Sequence, residues 1–74
     1  GAVDPYVKPE AVHAFLQEME AAGVDYQLIM YAHAVHAFTQ KEAGDDPSRG
    51  AAYNAAADAR SWRLMKDFLA EVLQ

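Results

Sequence analysis

Two stretches of the chain carry apolar side chains at helical spacing. The first repeats them at i, i+3, i+4 and i+7, in the residues Val12, Phe15, Leu16 and Met19. We expect this helix to begin near Pro9, whose missing N–H is not needed in a first turn, and to end at Gly23 in a left-handed cap. The second helix is predicted over about residues 52–73 from an apolar stripe formed by Trp62, Met65, Phe68, Leu69 and Val72.

A short apolar run lies between the two helices. Residues 26–31 are apolar on both faces except for Gln27, a pattern typical of a strand covered on both sides in a parallel sheet. A buried helical segment is the competing interpretation, and the shortness of the run favours the strand. A single strand leaves both edges unpaired, so we expect a partner strand from sequence not present here or from another chain.

The order loop, helix, strand, loop and long helix predicts the α/β class. We expect residues 1–74 to form one partial domain, with residues 40–50, rich in Gly and Asp, as a flexible loop. Alanine accounts for 16 of the hydrophobic residues, which make up 53% of the chain, and buried alanine removes little apolar area from water. The core is therefore thin for an independent monomer, and a partner surface would stabilise it.

Charge and cysteine content exclude several classes of function. The net charge of −5 disfavours nucleic-acid binding, since an acidic surface repels phosphates. With no cysteine the chain has no disulfide and no thiolate metal ligand, which suits a reducing, cytoplasmic setting. No apolar run approaches the roughly 20 residues that span a membrane, and no signal peptide is visible. Because the chain begins with Gly1 rather than Met, we expect a trimmed product or a fragment.

Three histidines are candidates for chemistry. His13 lies beside the apolar stripe of the first helix and is expected to be a half-exposed surface residue. His33 and His36 form an H-x-x-H pair, but the zinc pair with most support, H-E-x-x-H, lies on a helix and includes a glutamate. We therefore expect no metal site in this chain.

Asp4 and His36 occupy a pair of loops that suits catalysis. Loops that leave the carboxyl ends of strands carry catalytic groups in open α/β sheets. An aspartate followed by a helix, a strand and a histidine has the chain order of the acid and base in an α/β-hydrolase triad. The separation of 32 positions is enough for that helix and strand. The residues alone, however, favour an ordinary loop aspartate over a triad acid.

Four segments are more specific than this spacing. They are GAVDPYV at 1–7, AVHAFT at 34–39, AYNAAAD at 52–58 and RSW at 60–62. In order and spacing they resemble the C-terminal part of the dienelactone hydrolase family, and the resemblance covers essentially the whole chain. It implies a C-terminal fragment of an α/β-hydrolase fold, with Asp4 as the triad acid and His36 as the triad base.

The family's nucleophile has no match in this sequence. It is a cysteine, or sometimes a serine, on a strand–turn–helix elbow, and the oxyanion donors also come partly from upstream. The only serines here, Ser48 and Ser61, lie in the flexible loop and in the last helix. The resemblance implies a carboxylic ester hydrolase for small esters that uses no metal or organic cofactor. We expect the chain alone to be inactive, and to act on a small ester only if upstream sequence completes it.

One departure from the family precedes His36. The family usually has small flexible residues there, often Gly-Gly, whereas this chain has Ala32 and His33. Losing glycine makes a positive φ costly, which affects the placement of the His36 ring. His33 itself could crowd the site or provide an alternative polar contact.

A second hypothesis is compatible with the first. In it the chain is a non-catalytic module, derived from a truncated hydrolase gene, that self-associates as a homodimer. Pairing of the exposed strands and packing of the helices would relieve both the unpaired edges and the thin core, and an isologous two-fold dimer is the commonest solution.

Overall fold

The chain folds into two α-helices connected by a long irregular segment. The computed structural model describes residues 1–73; Gln74, the last residue of the predicted domain, lies outside the described residues. Helix α1 spans Pro9–Ala22 and helix α2 spans Ala55–Val72. Two short 3-10 helices, Lys41–Ala43 and Pro47–Arg49, lie within the segment predicted to be a flexible loop.

Helix α1 has the ends that its sequence predicts. Gly23 adopts φ 68° after the last turn, and its N–H donates to the carbonyl of Glu20 at 3.1 Å. Because glycine adopts a left-handed conformation at little cost, the predicted cap is confirmed. At the other end, Lys8 offers no side-chain cap, so the preset φ of Pro9 and the carboxylate of Glu10 define the start of the helix.

Helix α2 begins at Ala55, later than predicted. The reason is Asn54, whose Oδ1 accepts a hydrogen bond from the N–H of Ala57 at 3.0 Å. This cap satisfies a backbone donor that the first turn of a helix cannot pair. The helix ends at Val72. Within residues 1–73, neither α-helix combines the length and the apolar content that crossing a membrane requires.

The prediction of an α/β fold is wrong. Across residues 1–73 the structure contains α-helices and short 3-10 helices but no strand, and residues 24–30 form neither helix nor strand. The β-type contact in this part of the chain is an isolated parallel bridge between His36 and Ala51. A strand is defined by hydrogen bonds to a neighbour, and none of the described segments pairs with residues 24–30. Residues 24–30 stay unpaired, with Leu28 and Met30 42% and 55% exposed.

The buried residues are few and small. Within residues 1–73 four are buried, each at most 6% exposed: Ala34, Val35, Ala52 and Ala57. Three of them, Ala34, Val35 and Ala52, are close in the chain to the bridged residues His36 and Ala51, so the core supports this part of the chain. Many large apolar side chains are exposed, including Trp62 at 55%. The two α-helices do not pack against each other, and the molecule is flattened, with dimensions of 38 × 31 × 16 Å.

Candidate active site

The loop that carries Asp4 runs alongside the segment that leads to His36. The N–H of Val3 donates to the carbonyl of Ala34 at 3.1 Å, which ties the two segments together. Gly1 permits this close approach, because a Cβ at that position would collide with the carbonyl of Ala34. Backbone contacts therefore bring the two loops into reach of each other.

The backbone of His36 is held by the loop before α2. Its N–H donates to the carbonyl of Gly50 at 3.2 Å, and its carbonyl accepts from the N–H of Ala52 at 3.1 Å. These bonds form the parallel bridge to Ala51. The next residue, Ala37, adopts φ 60°, which is uncommon for a residue other than glycine. The chain thus turns sharply immediately after His36.

The side chains of Asp4 and His36 meet directly. Oδ2 of Asp4 lies 3.0 Å from Nδ1 of His36. The other carboxylate oxygen, Oδ1, accepts a hydrogen bond from the N–H of Tyr6 at 2.8 Å. The Asp4 side chain is only 8% exposed, whereas that of His36 is 53% exposed. The carboxylate is therefore enclosed, and the imidazole is open to solvent on its far side.

The surroundings of Asp4 favour its ionised form. Burial by itself would raise the pKa of the carboxyl group. The hydrogen bonds from Tyr6 and His36, together with the attraction to His36, outweigh burial and hold the pKa of Asp4 below its usual value of 3.8. An ionised carboxylate only accepts hydrogen bonds, so Nδ1 of His36 must be the donor. Nε2 then keeps its lone pair and has no hydrogen-bond partner within residues 1–73.

Tyr6 also belongs to this site, although its sequence pattern alone did not single it out. Its ring lies against the imidazole of His36, with the centroids 4.9 Å apart and the planes at 58°. Its N–H reaches Asp4 because an aspartate side chain commonly bonds the backbone two residues later. In the sequence, the Asp4–Pro5 pair favours such a turn and could have indicated the bond between Asp4 and the N–H of Tyr6.

The other histidines stand apart from this pair. His33 adopts φ 65°, a left-handed conformation that costs a side chain roughly 1–2 kcal/mol relative to glycine. Its side chain is exposed and makes no hydrogen bond within residues 1–73, and His13 is exposed on α1. The described part of the chain holds no group of three or more His, Cys, Asp or Glu side chains arranged for a metal ion.

The two serines are engaged away from His36. The hydroxyl of Ser48 donates to Oδ1 of Asp46 at 2.6 Å, and the hydroxyl of Ser61 donates to the carbonyl of Asp58 at 3.0 Å. The sequence contains no cysteine. Within residues 1–73, therefore, no hydroxyl or thiol of a serine or cysteine is hydrogen-bonded to His36.

An enclosed carboxylate that holds Nδ1 of a histidine, with Nε2 free, is the acid–base arrangement used by hydrolytic triads. The chain belongs to the dienelactone hydrolase family, whose sequence profile matches residues 1–73. The family resemblance inferred from the four segments is thereby confirmed. The uncharacterized protein K02A2.1 of Caenorhabditis elegans is 37% identical over 71 residues, which cover 96% of this chain and 45% of that protein. The chain thus spans about half the length of this curated relative. No solved structure matches the chain.

Proposed function

We propose that this chain supplies the acid–base pair of a carboxylic ester hydrolase related to dienelactone hydrolase. Asp4 orients His36, and Nε2 of His36 takes the proton of a nucleophile that these 74 residues do not contain. The observation that carries the proposal is the 3.0 Å contact between Oδ2 of Asp4 and Nδ1 of His36, with Nε2 left free. Membership of the family supports the reaction class.

Each group has a defined role in the proposed reaction. The hydroxyl or thiol of the nucleophile forms a bond to the ester carbonyl carbon and gives its proton to Nε2 of His36. His36 passes this proton to the leaving alkoxide as the ester C–O bond breaks. Water then attacks the acyl intermediate, again losing a proton to Nε2, which returns it to the departing nucleophile. Asp4 stays ionised and stabilises the imidazolium formed in each step.

The Asp4–His36 pair is tested by the tautomer of the imidazole. In the 15N-labelled chain at about pH 8.5, where an ordinary imidazole is neutral, long-range 1H–15N NMR should show the proton of His36 on Nδ1. Asp4→Asn should reverse this preference, because the side-chain amide can donate a hydrogen bond to Nδ1. Finding the proton on Nε2 in the unaltered chain, or no change in Asp4→Asn, would contradict the proposal.

The absence of a nucleophile predicts that the chain alone does not turn over esters. With p-nitrophenyl acetate, the purified chain should hydrolyse no faster than free imidazole at the same histidine concentration. His36→Ala and the control His13→Ala should lower this background to a similar extent, because each removes one exposed imidazole. Turnover far above imidazole that disappears only in His36→Ala would show that a nucleophile is present after all.

We further propose, as a second role compatible with the first, that the chain self-associates as a homodimer. Since no strand forms within residues 1–73, such a dimer would form by helix packing and not by strand pairing. One face of α2 carries large apolar side chains, between 40% and 55% exposed, at i, i+3, i+7 and i+10: Trp62, Met65, Leu69 and Val72. Covering this face would supply the apolar burial that the alanine-rich core lacks.

Charge complementarity favours a second copy as the partner. Helix α1 contains three glutamates and no lysine or arginine. Helix α2 carries three acidic and three basic residues, and the basic ones recur at i, i+3 and i+6 and form no ion pair within residues 1–73: Arg60, Arg63 and Lys66. Lys66 lies 5.9 Å over the ring of Trp62, so this cationic stripe borders the apolar face. A two-fold axis would place α1 of each copy beside α2 of the other. The glutamates of α1 would then face the cations of α2 in two symmetry-related contacts.

Light scattering after size exclusion measures the predicted dimer. The expected mass is twice that of the 8.1 kDa chain. Leu69→Glu should give monomer, because it places a charge in the covered face. Glu71→Gln, a charge change on the side of α2 opposite the apolar face and away from Arg63 and Lys66, serves as the control. A mass of one chain at every concentration, or a dimer that Leu69→Glu leaves intact, would refute this role.

A further inference from the structure

The ring of Tyr6 packs against the imidazole of His36, and this contact is separate from the hydrogen bond between His36 and Asp4. The ring centroids are 4.9 Å apart with the planes tilted by 58°, within the range in which aromatic pairs attract. The Tyr6 side chain is 68% exposed, so it contributes little to the core. Its packing against His36 is therefore not a by-product of burial in the interior.

The position of Tyr6 is itself well defined by the surrounding loop. Its N–H is bound to Oδ1 of Asp4 at 2.8 Å, and the preceding Pro5 has a fixed φ. On the other side lies Gly50, where an added Cβ would come 3.0 Å from Cγ of Pro5 and 3.6 Å from Cε2 of Tyr6. The glycine thus leaves the space in which Pro5 and the Tyr6 ring sit.

The two contacts on the imidazole restrict different motions. The hydrogen bond to Asp4 selects which ring edge faces the carboxylate, since only Nδ1 can donate there. A single hydrogen bond still permits the ring plane to tilt and the side chain to swing toward solvent. The Tyr6 ring, packed against the imidazole, limits both motions. Together they leave Nε2 directed away from Asp4.

We infer that Tyr6 is a positioning residue of the acid–base pair. It holds the imidazole of His36 in the orientation in which Nδ1 meets Asp4 and Nε2 is presented to the nucleophile, and this inference rests on the proposed function. Removing the ring while keeping the backbone N–H should weaken the Asp4–His36 hydrogen bond, and with it the preference for the proton on Nδ1.

The test compares the ratio of the Nδ1–H to the Nε2–H tautomer of His36 by 15N NMR in matched variants. Tyr6→Leu, which removes the aromatic ring, should lower the ratio by a factor of about 2–10, the range expected from an aromatic pair. Tyr6→Phe keeps the ring, so its tautomer ratio should equal that of the unaltered chain. Tyr26→Leu is the control, since Tyr26 is bound to Glu20 at 2.8 Å rather than to this site.

A second pair of variants displaces the Tyr6 ring without deleting it. Gly50→Ala should crowd Pro5 and Tyr6 and lower the tautomer ratio, whereas Gly23→Ala should not. Both glycines have a left-handed φ, 86° and 68°, but only Gly50 has neighbours within 4 Å of the added Cβ. Because the carbonyl of Gly50 also accepts the N–H of His36, the backbone amide signal of His36 is compared in Gly50→Ala and the unaltered chain. A lowered ratio with that signal unchanged supports the positioning role, and a lowered ratio with the signal displaced counts against it. This comparison decides the question if Tyr6→Leu loses the helical circular dichroism signal.

The possible outcomes separate this inference from the proposed function. If Tyr6→Leu keeps its helicity and its tautomer ratio matches that of Tyr6→Phe, the positioning role is refuted while the Asp4–His36 pair stands. If Tyr6→Leu unfolds and Gly50→Ala leaves the ratio unchanged, it is refuted as well. A proton on Nε2 in the unaltered chain overturns the proposed function itself.

Discussion

Asp4 joins a local interaction and a distant one at a single carboxylate. Oδ1 is bound by Tyr6, two residues away, and Oδ2 by His36, 32 residues away. The local bond follows from the tendency of Asp before Pro to form a turn. The distant bond requires the loops to come together and could be expected only from chain order and family resemblance. Pattern and resemblance predicted both residues of the pair. They did not predict Tyr6, because its ring takes part by packing against His36 and no sequence motif indicates that contact.

The lowered pKa of Asp4 predicts how acid affects stability. A carboxyl group whose pKa is lower in the folded state contributes stability above its unfolded value of 3.8, and this contribution is lost as the pH falls through the lowered folded value. We expect the unaltered chain to be more stable than Asp4→Asn at about pH 6, and this advantage to be smaller at about pH 3, below the unfolded value of 3.8. Urea unfolding followed by circular dichroism at both pH values measures the difference.

The control for this prediction is Asp25→Asn. Asp25 is exposed and makes no hydrogen bond within residues 1–73, so its replacement should not reproduce the effect. If the gap between the unaltered chain and Asp4→Asn is the same at both pH values, the carboxylate is not stabilised by its partners as described.

His33 adopts a backbone conformation that usually favours glycine. The sequence suggested that histidine in place of a flexible residue would disturb the site, because a positive φ costs a side chain energy. In the structure His33 adopts φ 65° and remains exposed, and the contact between Asp4 and His36 forms nonetheless. Histidine is among the non-glycine residues enriched in this region, which reduces the penalty.

At the scale of elements, the helices follow from interactions between near neighbours. Apolar spacing, Pro9 at the first turn and Gly23 at the end predict α1 correctly. The start of α2 was placed too early because the alanines around Asn54 have high helix propensity, whereas the cap sets the boundary. The missed signal was therefore local and readable: an asparagine immediately before three alanines.

The cap at Asn54 predicts a measurable loss of stability. Asn54→Ala removes the acceptor for the N–H of Ala57 and should cost about 1 kcal/mol. Asn54→Asp keeps an acceptor and places a negative charge at the positive end of the helix, so it should be close to neutral. Urea midpoints from the helical circular dichroism signal compare the two. Equal midpoints for both variants would show that the side chain does not cap α2.

Residues 24–30 mark the limit of prediction at this scale. A continuous apolar run indicates side chains suited to burial, but whether it forms a covered strand depends on a partner with which to pair. No such partner lies within residues 1–73, and residues 24–30 stay without ladder hydrogen bonds there. The misassigned class thus came from a non-local requirement and not from a misread pattern.

At the scale of the whole molecule, the high alanine content and the exposed apolar surface both reflect a small hydrophobic core. Three of the four buried residues are alanines, and the larger apolar side chains lie mainly outside. The flattened body, 16 Å in its shortest dimension, gives them little interior to fill. This imbalance is the physical basis for the proposed dimer, whose α2 face would bury such side chains.

The sequence by itself determined both helices, the cap at Gly23, the family and the candidacy of Asp4 and His36. The helices and the cap depend on spacing and turn preferences among neighbouring positions, whereas the family and the two site residues depend on specific segments and their order along the chain. Only the tertiary structure decided that the two side chains meet at 3.0 Å, that Tyr6 packs against the imidazole, and that residues 24–30 remain unpaired. The reason is that these features depend on contacts between distant segments, and such contacts form only where the rest of the fold brings both partners together.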